Sequence, residues 1–292
     1  LQHGARADVL QCLRVSIGTN EVNAFDIVDH HVLQGVTATT TYTYKGATKQ
    51  GERFELRIEG LWYRTILWEV PLMALISELW YRLRGVERDD DETVEARTRA
   101  KIEQYQRLGL KIAEFGTRRR FSFDVHDRVV GALRHHGGDA FSGSSNVLLA
   151  MRHGVKPIGT HAHEWFMFHG ARFGFKMANS LALEHWVDVY RGDLGIALTD
   201  TFTSRAFFES FDKKFAKLFD GVRHDSADPI DFAASTIAHY EKLGIDPRSK
   251  TIIFSDALTP EKVERIQSFC QGRVGMAFGI GTNFTNDVGV EP

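Results

Sequence analysis

From Gly109 onward the sequence repeats one unit, in which a short apolar run ends in a few small or polar residues and is followed by a helical pattern. Strands that alternate with helices of this length indicate βα units and a parallel sheet. The candidate strands lie in seven stretches, LKIAEFGTRR, AFSGSSN, VKPIGTHAHE, LGIALTD, GVRHDSADP, TIIFSDALTP and VGMAFGIGTN. Because no GxGxxG turn follows the first of them, the pattern favours a closed, barrel-like α/β sheet over an open dinucleotide-binding sheet.

The first part of the chain has a different pattern. The Thr/Tyr-rich run from Gln34 to Tyr44 alternates as an exposed strand does, and RFELRIEG, which ends at Gly60, is a second strand candidate. Apolar periodicity predicts a helix from Leu67 to Leu83, where Pro71 is tolerated only near the first turn. The stretch ERDDDETVEARTRAKIEQYQRLG predicts a charged helix with a solvated face.

Composition excludes several classes of protein. The chain has 292 residues, of which 43% are hydrophobic, and this is enough for a large core. Its 36 Lys and Arg nearly balance its 38 Asp and Glu, so no overall positive field attracts nucleic acid or an anionic membrane. The most apolar stretch, residues 66–83, is interrupted by charged residues and by Pro71, so we expect no membrane span.

The number of cysteines indicates the compartment. Cys12 and Cys270 are too few for a disulfide framework or a thiolate zinc site, so we expect a reducing compartment, the cytoplasm. No signal-peptide pattern opens the sequence. Because the sequence begins with Leu1 and stops at Pro292 soon after a Gly-rich turn, we expect it to be truncated at both ends.

Polar side chains collect at the ends of the candidate strands. In a barrel, the loops that follow the strand C-termini build the active site. Ser, Thr and Asp at such places also cap the next helix, and for any one residue capping is the simpler explanation. The recurrence of Arg, His and Asp at one end of the barrel exceeds what capping explains and predicts an active site there. The residues concerned are Arg118, Ser145, Asn146, Thr160, His163, Asp200, Arg223, Asp225, Asp256 and Thr282.

The stretch FGIGTNFTND predicts a phosphate site. Gly279 and Gly281 precede Thr282 and Asn283 at the end of the seventh candidate strand. Glycines let backbone N–H groups approach an anion, and barrels commonly bind phosphate in the loops after their last strands. A plain tight turn is the alternative, because a GxG pattern alone is a weak signal.

The stretch GVRHDSADP combines a cation with carboxylates. Arg223 can hold a carboxylate or a phosphate with two hydrogen bonds, and aspartates can bind sugar hydroxyls or Mg²⁺ that carries a diphosphate. Asp228 followed by Pro229 also matches the cap and the first residue of a helix. We therefore expect Asp228 to cap that helix and Asp225 to be functional.

The stretch FGTRRRF contains consecutive arginines, which alone are typical of a solvated basic turn. Their position at a strand end makes Arg118 a candidate for anion binding, and Phe115 can stack on an aromatic ring. The histidine doublets at residues 30–31 and 135–136 fall outside these clusters. We expect both doublets at the surface.

The histidines of GTHAHE allow metal binding, acid–base chemistry or a covalent role. A zinc site needs a third and a fourth ligand, and neither an HExxH motif nor paired cysteines supply them, so no metal site is predicted. A histidine among arginines and a Gly-rich anion loop fits phosphate chemistry better. Glu164 can then accept a hydrogen bond from one ring nitrogen of His163 and leave the other as base or nucleophile.

These motifs occur together in one known family. EFGTRRRFS, GTHAHEWF, GIALTD, VRHDSADP and FGIGTNFTND, in this order and at these separations, resemble nicotinate phosphoribosyltransferases. ILWEVPLMALISE, earlier in the chain, resembles the family as well. The resemblance covers nearly all of residues 50–287, whereas residues 1–49 match less clearly.

The resemblance implies a fold and an assembly. The fold is that of type II phosphoribosyltransferases, an irregular TIM-like α/β barrel with a second α/β domain. Residues 1–108 would be part of the N-terminal α/β domain with connecting helices, and residues 109–292 the phosphoribosyltransferase barrel, incomplete at its C-terminus. The family implies a homodimer whose active site borrows residues from the neighbouring subunit.

The resemblance also implies an activity in NAD biosynthesis. It implies a ligase-type enzyme that joins nicotinate to 5-phosphoribosyl 1-diphosphate, with Mg²⁺, to give nicotinate mononucleotide and diphosphate. ATP would be hydrolysed alongside through a phosphohistidine. These are the reactions of NAD salvage, and they make nicotinate, 5-phosphoribosyl 1-diphosphate and ATP the expected small-molecule partners.

Site residues carry over motif by motif. His163 matches the histidine that the family phosphorylates, and Thr282 in GIGTN matches a position that binds the phosphoribosyl phosphate. Thr160 and Arg223 match nicotinate-contacting positions. The catalytic role of Asp225 and the anion-binding role of Arg118 in FGTRRRF are inferred more loosely. The resemblance assigns no function to the other histidine of GTHAHE.

Two departures from the family pattern bear on activity. Ala227 stands where the family motif DSGDP has glycine, and if this position needs a positive φ the alanine costs about 1 kcal/mol or more. The family segment with a D-x-Y-K motif, whose tyrosine would contact nicotinate, is absent from the sequence. The activity of the chain by itself is therefore open.

Other functions remain as alternatives. A nicotinamide phosphoribosyltransferase has the same fold and an uncharged substrate, and a truncated, non-catalytic protein would bind phosphoribosyl ligands without turnover. A barrel metal-dependent hydrolase built on His161 and His163 has the least support. On the favoured interpretation His161 is a neighbouring loop residue, whose replacement should be far better tolerated than that of His163.

Overall fold

The computed structural model describes the backbone of most of the chain and the side chains of a smaller part. The backbone is described for residues 9–17, 22–31, 40–48 and 51–290, and the side chains for residues 62–63 and 66–290. These residues form two compact units. The predicted domain boundary between residues 108 and 109 stays a prediction.

The smaller unit consists of Leu1–Leu72 and Met167–Ala178. Its strands are β1 (Val9–Ile17), β2 (Val22–His31), β3 (Thr40–Thr48) and β4 (Gly51–Leu61), followed by the short helix α1 (Trp62–Thr65). They form an antiparallel sheet in the order β2-β1-β4-β3. The strand predicted in RFELRIEG is confirmed. Residues 34–39 of the Thr/Tyr-rich run and the side chains of the doublet at 30–31 lie outside the described residues.

The larger unit consists of Met73–Phe166 and Asn179–Pro292. Its strands pair in parallel throughout, which confirms the predicted α/β fold. They are β5 (Ile112–Glu114), β6 (Phe141–Ser144), β7 (Ile196–Leu198), β8 (Gly221–His224), β9 (Thr251–Phe254) and β10 (Gly275–Ile280), in the sheet order β6-β5-β10-β9-β8-β7.

The third candidate strand, in VKPIGTHAHE, forms only an isolated parallel bridge between Ser144 and Pro157. Pro157 has no N–H to continue a ladder. The bridge nevertheless places this third stretch beside β6, and because β10 pairs with β5 the strands run in cyclic order around a barrel. The third stretch and β7 share no backbone ladder among the described residues, and we call the gap between them the seam.

Helices follow the strands as the sequence pattern predicts. The predicted helices over Leu67 to Leu83 and over the charged stretch are confirmed as α2 and α3, and Pro71 lies in the first turn of α2. The α-helices after α1 are α2 (Glu69–Leu83), α3 (Asp91–Arg107), α4 (Phe123–His136), α5 (Val147–His153), α6 (His163–Phe173), α7 (Phe175–Tyr190), α8 (Ser204–Ser210), α9 (Lys213–Leu218), α10 (Pro229–Lys242), α11 (Pro260–Cys270) and α12 (Thr282–Thr285). Single 3₁₀ turns cover Ile66–Trp68, Thr117–Arg119, Gly138–Ala140 and Pro247–Ser249.

The core of the larger unit lies between the barrel strands and these helices. Apolar strand residues such as Val222, Ile252 and Phe278 are almost completely buried. Asp228 caps α10, because its Oδ1 accepts hydrogen bonds from the N–H groups of the helix start at 2.8 and 3.1 Å, and Pro229 is the first helical residue, as expected. No helix in the described ranges is both long and apolar enough to cross a membrane.

Candidate active site

The ends of β7 and β8 meet the first turn of α6. His163, the first residue of α6, places its Nε2 3.1 Å from Oδ2 of Asp225, which directly follows β8. The other ring nitrogen, Nδ1, lies 3.1 Å from Oγ1 of Thr201, which follows β7. Two strand ends therefore orient the imidazole, and the side chain of His163 keeps 37% of its surface exposed.

Arg223, on β8, is held by protein acceptors on three sides. Its Nε donates to Ser255 Oγ at 2.8 Å, and its Nη2 lies 2.8 Å from Asp225 Oδ2. Its Nη1 donates to Thr160 Oγ1 at 2.9 Å and to the carbonyl oxygen of His161 at 3.1 Å. A guanidinium has five N–H groups, so within the described part of the chain these contacts leave one N–H, on Nη2, for a ligand.

Asp225 is ionised. Burial of its carboxyl group acts to raise the pKa. The hydrogen bond from His163, the charge of Arg223 and a 2.6 Å hydrogen bond from Ser255 Oγ outweigh burial and hold the pKa of this carboxyl well below its usual range. The predicted Arg, Asp and His at these strand ends are thus brought together around one fixed negative charge.

Asp200, after β7, supports the same loop. Its Oδ2 accepts hydrogen bonds from the backbone N–H of Asp225 at 3.1 Å and from Ser226 Oγ at 2.6 Å. Its Oδ1 is buried and has no hydrogen-bond partner among the described residues. Because buried polar atoms are normally paired, this oxygen is the one with capacity for a cation or a ligand hydroxyl.

A second group of predicted residues lies at the ends of β5 and β10. The backbone N–H of Phe115 donates to the carbonyl oxygen of Ile280 at 2.8 Å. The Phe115 ring covers Gly279, where a Cβ would lie 2.5 Å from the ring, and a Cβ on Gly281 would lie 3.2 Å from the Phe115 carbonyl oxygen. These glycines therefore let the two strand ends approach each other, and Arg118 lies exposed in the following turn.

Sequence reasoning missed Glu114, the last residue of β5. Its carboxylate is completely buried and lies 2.9 Å from Nε2 of His126 on α4. It also accepts hydrogen bonds from Ser144 Oγ at 2.5 Å and from the backbone N–H of Gly116. Burial acts to raise the pKa of Glu114, but these partners outweigh it and lower the pKa. An acidic residue inside an apolar strand end was the available signal.

Sequence reasoning also missed Lys101, on α3. Its Nζ donates to the backbone carbonyl oxygen of Asn283 and lies 2.5 Å from Oδ2 of Asp287. The turn that contains Thr282 and Asn283 is thereby tied to a helix far away in sequence. The side-chain Oδ1 of Asn283 is buried without a hydrogen-bond partner in the described residues.

Arg119 is a further residue that the sequence did not distinguish from Arg118. Partial burial lowers the pKa of Arg119, as does the neighbouring charge of Arg118, while the carboxylate of Asp225 acts in the opposite direction. Arg119 therefore lies within electrostatic range of Asp225. The turn after β5 brings positive charge towards the end of β8.

The model of the nicotinate phosphoribosyltransferase (NAPRTase) family matches residues 110–291, which is more than half of the chain and contains all of these residues except Lys101. The chain belongs to the nicotinate phosphoribosyltransferase family. The resemblance inferred from the motifs is confirmed.

Relatives with this name cover most of the chain. A nicotinate phosphoribosyltransferase of Chromohalobacter salexigens is 84% identical over 244 residues, which are 84% of this chain and 63% of that protein. One of Desulforapulum autotrophicum is 45% identical over 267 residues, which are 91% of this chain and 67% of that protein. The chain thus spans about two thirds of the length of these relatives.

Solved structures of the family have the same fold. The crystal structure of nicotinate phosphoribosyltransferase from Porphyromonas gingivalis matches with a TM-score of 0.82 and 49% identity, over 87% of this chain and 64% of that one. The nicotinate phosphoribosyltransferase from Vibrio cholerae matches with a TM-score of 0.77 and 38% identity, over 86% of this chain and 59% of that one. The type II phosphoribosyltransferase fold predicted from the resemblance is confirmed.

The departure from the nicotinate phosphoribosyltransferase motif at Ala227 has a structural consequence. Ala227 has a φ of 71°, in the left-handed region that favours glycine. It lies two residues after Asp225 and one before the cap of α10, so the strain falls within the candidate site. The condition under which the alanine was expected to be unfavourable is met.

Two expectations for GTHAHE do not fit the structure. The prediction that Glu164 orients His163 is wrong, because the ring nitrogens of His163 face Thr201 and Asp225. His161, expected to be a minor loop residue, is only 1% exposed and packs in the core. Its burial depends on aromatic residues distant in sequence, which a local motif does not reveal.

The remaining titratable clusters lie outside this site. In the doublet at 135–136 the first ring is exposed, as expected, and the second lies 3.6 Å from Glu95. Among the side chains that the structure describes, no group of three or more His, Cys, Asp or Glu comes together in a way that could hold a metal ion.

Proposed function

We propose that the complete protein transfers phosphoribosyl from 5-phosphoribosyl 1-diphosphate to nicotinate, giving nicotinate mononucleotide and diphosphate, as a step of NAD salvage. The observation that carries this proposal is the cluster of Arg223, Asp225 and His163 at the ends of parallel strands, in a chain of this family. The cluster combines a cation for a carboxylate substrate with a fixed negative charge for a cationic transition state.

The reaction forms a bond between the pyridine nitrogen and the anomeric carbon. The bond from that carbon to the diphosphate oxygen breaks, and diphosphate leaves with the electron pair. Positive charge develops on the ribose ring in the transition state, and an ionised carboxylate that is already oriented stabilises such charge. Asp225, whose pKa is held well below its usual range, meets this requirement.

Nicotinate is positioned rather than activated, since its ring nitrogen is already nucleophilic. Arg223 offers its charge and one Nη2 N–H to the carboxylate, while Thr160 sits on the Nη1 side of the same guanidinium. Phe115 stacks on the pyridine ring, and Arg118 adds positive charge from the turn after β5. The limited number of N–H groups on Arg223 predicts a single hydrogen bond to nicotinate instead of a bidentate pair.

The phosphate of the phosphoribosyl group is bound at the end of β10. Gly279 and Gly281 keep this part of the backbone without side chains, and the backbone N–H groups of Thr282 and Asn283 follow directly. Lys101 donates to the carbonyl oxygen of Asn283 in this turn, so these backbone N–H groups remain available for the anion.

ATP is used through a phosphohistidine at His163. The contact between Nε2 and the ionised Asp225 keeps the proton on Nε2, so Nδ1 is the unprotonated nitrogen. Nδ1 attacks the γ-phosphorus, the bond to ADP breaks, and ADP leaves with the electron pair. The phosphate adds about two negative charges beside Asp225, which changes substrate affinity at the site.

The carboxylates fit Mg²⁺ bound together with a diphosphate. Mg²⁺ keeps several waters and takes one or two carboxylates plus substrate phosphates instead of a full protein cage. Asp200 would hold the ion through Oδ1, its buried oxygen without a partner in the described residues, whereas both oxygens of Asp225 are engaged. When bound, Mg²⁺ supplies charge neutralisation for the leaving group.

The proposal is tested with the complete gene product, incubated with 5-phosphoribosyl 1-diphosphate, ATP, Mg²⁺ and either nicotinate or nicotinamide. We expect chromatography to detect nicotinate mononucleotide and only traces of the amide product. Efficient turnover of nicotinamide, or nucleotide binding without any product, contradicts the proposed function.

Two further measurements test its parts. Labelled γ-phosphate from ATP is expected on the wild-type protein and not on His163→Asn, and nicotinate mononucleotide formation by that variant at the wild-type rate contradicts the phosphohistidine. The homodimer that the family implies is tested by light scattering during gel filtration, where a monomer at assay concentration contradicts it.

A further inference from the structure

The seam of the barrel is crossed by a side chain. The backbone N–H of Leu198, the last residue of β7, donates to Nδ1 of His161 at 3.4 Å. Across the other strand pairs of the barrel a carbonyl oxygen accepts such a bond. At the seam an imidazole nitrogen takes the place of that carbonyl.

The ring of His161 is enclosed by aromatic side chains. The ring is 1% exposed and its centroid lies 4.1 Å from that of Trp186, 5.6 Å from that of Phe166 and 5.9 Å from that of Phe219. Burial lowers the pKa of His161 to about 3, and the charge of Arg223 acts in the same direction. A neutral imidazole has one acceptor, and because Nδ1 is that acceptor the proton lies on Nε2.

The backbone of His161 reaches the active site. Its carbonyl oxygen accepts from Nη1 of Arg223 at 3.1 Å, and Oγ1 of the preceding Thr160 accepts from the same nitrogen at 2.9 Å. Two residues further on, the ring of His163 contacts the ends of both β7 and β8. The segment from residue 160 to residue 163 is thus bonded through its two histidine rings to the end of β7 and to the loop that follows it, and it also contacts Arg223 on β8 and Asp225 directly after β8.

We propose that His161 is a positioning residue, whose neutral ring joins the third stretch to β7 across the seam and thereby holds Thr160 and Arg223 in place at the active site. A protonated ring would lose the acceptor for Leu198 and would add a second cation beside Arg223. The role is distinct from that of His163, since His161 is only 1% exposed whereas the side chain of His163 keeps 37% of its surface exposed. The kinetic part of the proposal rests on the proposed transferase function.

The ring is tested first in the wild-type protein, where no variant has to fold. In protein labelled with ¹⁵N-histidine we expect His161 to show an unprotonated Nδ1 and a protonated Nε2, unchanged between about pH 5.5 and about pH 8. The Nη1–H groups of Arg223 should exchange slowly. Titration of His161 within this range, or protonation at Nδ1, overturns the proposal.

Two variants separate the acceptor from the bulk of the ring. Asparagine can place Oδ1 close to the position of Nδ1, whereas leucine fills similar space without an acceptor. We expect His161→Leu to lose slow exchange at the Nη1–H groups of Arg223, which donate to Thr160 and to the carbonyl oxygen of residue 161, and His161→Asn to retain it. Equal protection of Arg223 in both variants overturns the proposal whatever the activity of the protein.

Activity per folded molecule gives the second measurement. For His161→Leu we expect a fall of roughly tenfold to a hundredfold in kcat/KM, with a raised KM for nicotinate, and substantial recovery in His161→Asn. Wild-type kcat and KM in folded His161→Leu overturn the positioning role. If the wild-type protein forms no nicotinate mononucleotide, the proposed function fails, while the exchange of the Arg223 Nη1–H groups still decides the role of His161.

Discussion

The two sides of the candidate site are built differently. At the ends of β7 and β8, charged and polar side chains hold one another, as Arg223 and Asp225 do. At the ends of β5 and β10 the backbones approach closely because Gly279 carries no side chain against Phe115, and a buried pair supports them from below the loop. The first side should therefore be sensitive to loss of a charge and the second to added volume or to loss of its support.

The largest effect is expected from Glu114→Gln, which breaks the buried pair under the β5 loop. Removing one partner of such a pair leaves an uncompensated buried group, so the free energy of unfolding should fall by about 3 to 5 kcal/mol. Denaturant unfolding measures it. Ser144→Ala is the control, because it removes one hydrogen bond to Glu114 and one from the N–H of Asn146 and should cost about 1 to 2 kcal/mol. Equal losses in the two variants would mean that the contact between Glu114 and His126 does not support this side.

Asp225→Asn tests the charged side. The variant keeps the shape of the side chain and removes its charge, so kcat should fall by about 10²-fold to 10³-fold, as for loss of an electrostatic group that acts in the transition state. Steady-state assays of the complete protein measure it. Asp231→Asn, which changes a carboxylate on α10 outside the site, is the control. An unchanged kcat in Asp225→Asn would remove this residue from catalysis.

The two histidines of GTHAHE show how far sequence reasoning reaches. Six of the seven candidate strands, the helices α2 and α3 and the cap at Asp228 follow from local periodicity and residue type and were predicted correctly, whereas the third stretch forms only an isolated bridge. The different surroundings of His161 and His163 depend on residues such as Trp186 that lie on other elements. Contacts of this kind leave no local pattern.

The same limit explains the support residues that were missed. Glu114 gains its meaning from His126 on α4, and Lys101 from a turn 182 residues later in the chain. A single acidic or basic residue in a sequence does not indicate which distant residue it will contact. By contrast, Gly279 and Gly281 were found because a GxG pattern is visible locally, although their observed role is close packing against Phe115.

The pH dependence of the free energy of unfolding tests whether the ring of His161 at the seam is neutral in the folded state. The pKa of His161 falls from 6.5 to about 3 on folding, so the folded state binds fewer protons between these values. The free energy of unfolding therefore does not depend on this ring above about pH 6.5. Below that pH it decreases by about 1.4 kcal/mol per pH unit because of His161. His161→Leu should lack this slope, which amounts to about 2 kcal/mol near pH 5. His135→Gln, at the surface, should keep it, and parallel acid limbs for wild type and His161→Leu would contradict the buried neutral ring.

Gly279→Ala tests close packing on the β5 and β10 side. Its Cβ would lie 2.5 Å from the Phe115 ring, so the ring must move, and we expect a loss of about 1 to 3 kcal/mol in the free energy of unfolding with a raised KM for nicotinate. Gly159→Ala is the matched control, because a Cβ there meets nothing within 4 Å. Thermal unfolding compares them, and equal midpoints would show that the ring yields freely.

The smallest effect is expected from Ala227→Gly, and it should be stabilising. Glycine relieves the positive φ of 71°, although it also gains freedom in the unfolded chain, so the net gain should be up to about 1 kcal/mol. Ala234→Gly, in the exposed middle of α10, is the control and should lose about 1 kcal/mol. The same sign in both variants would mean that the backbone at Ala227 is not strained.

The seam has a consequence for how this barrel can evolve. A backbone ladder uses the N–H and C=O groups that nearly every amino acid carries, so most point mutations leave its hydrogen bonds in place. Where Nδ1 of His161 replaces a carbonyl oxygen, the link between two neighbouring strands is encoded by a single codon. Changes at that codon can tighten or loosen one edge of the mouth of the barrel while the other strand pairs keep their ladders. In this chain, the link across the seam therefore depends on the side chain of a single residue.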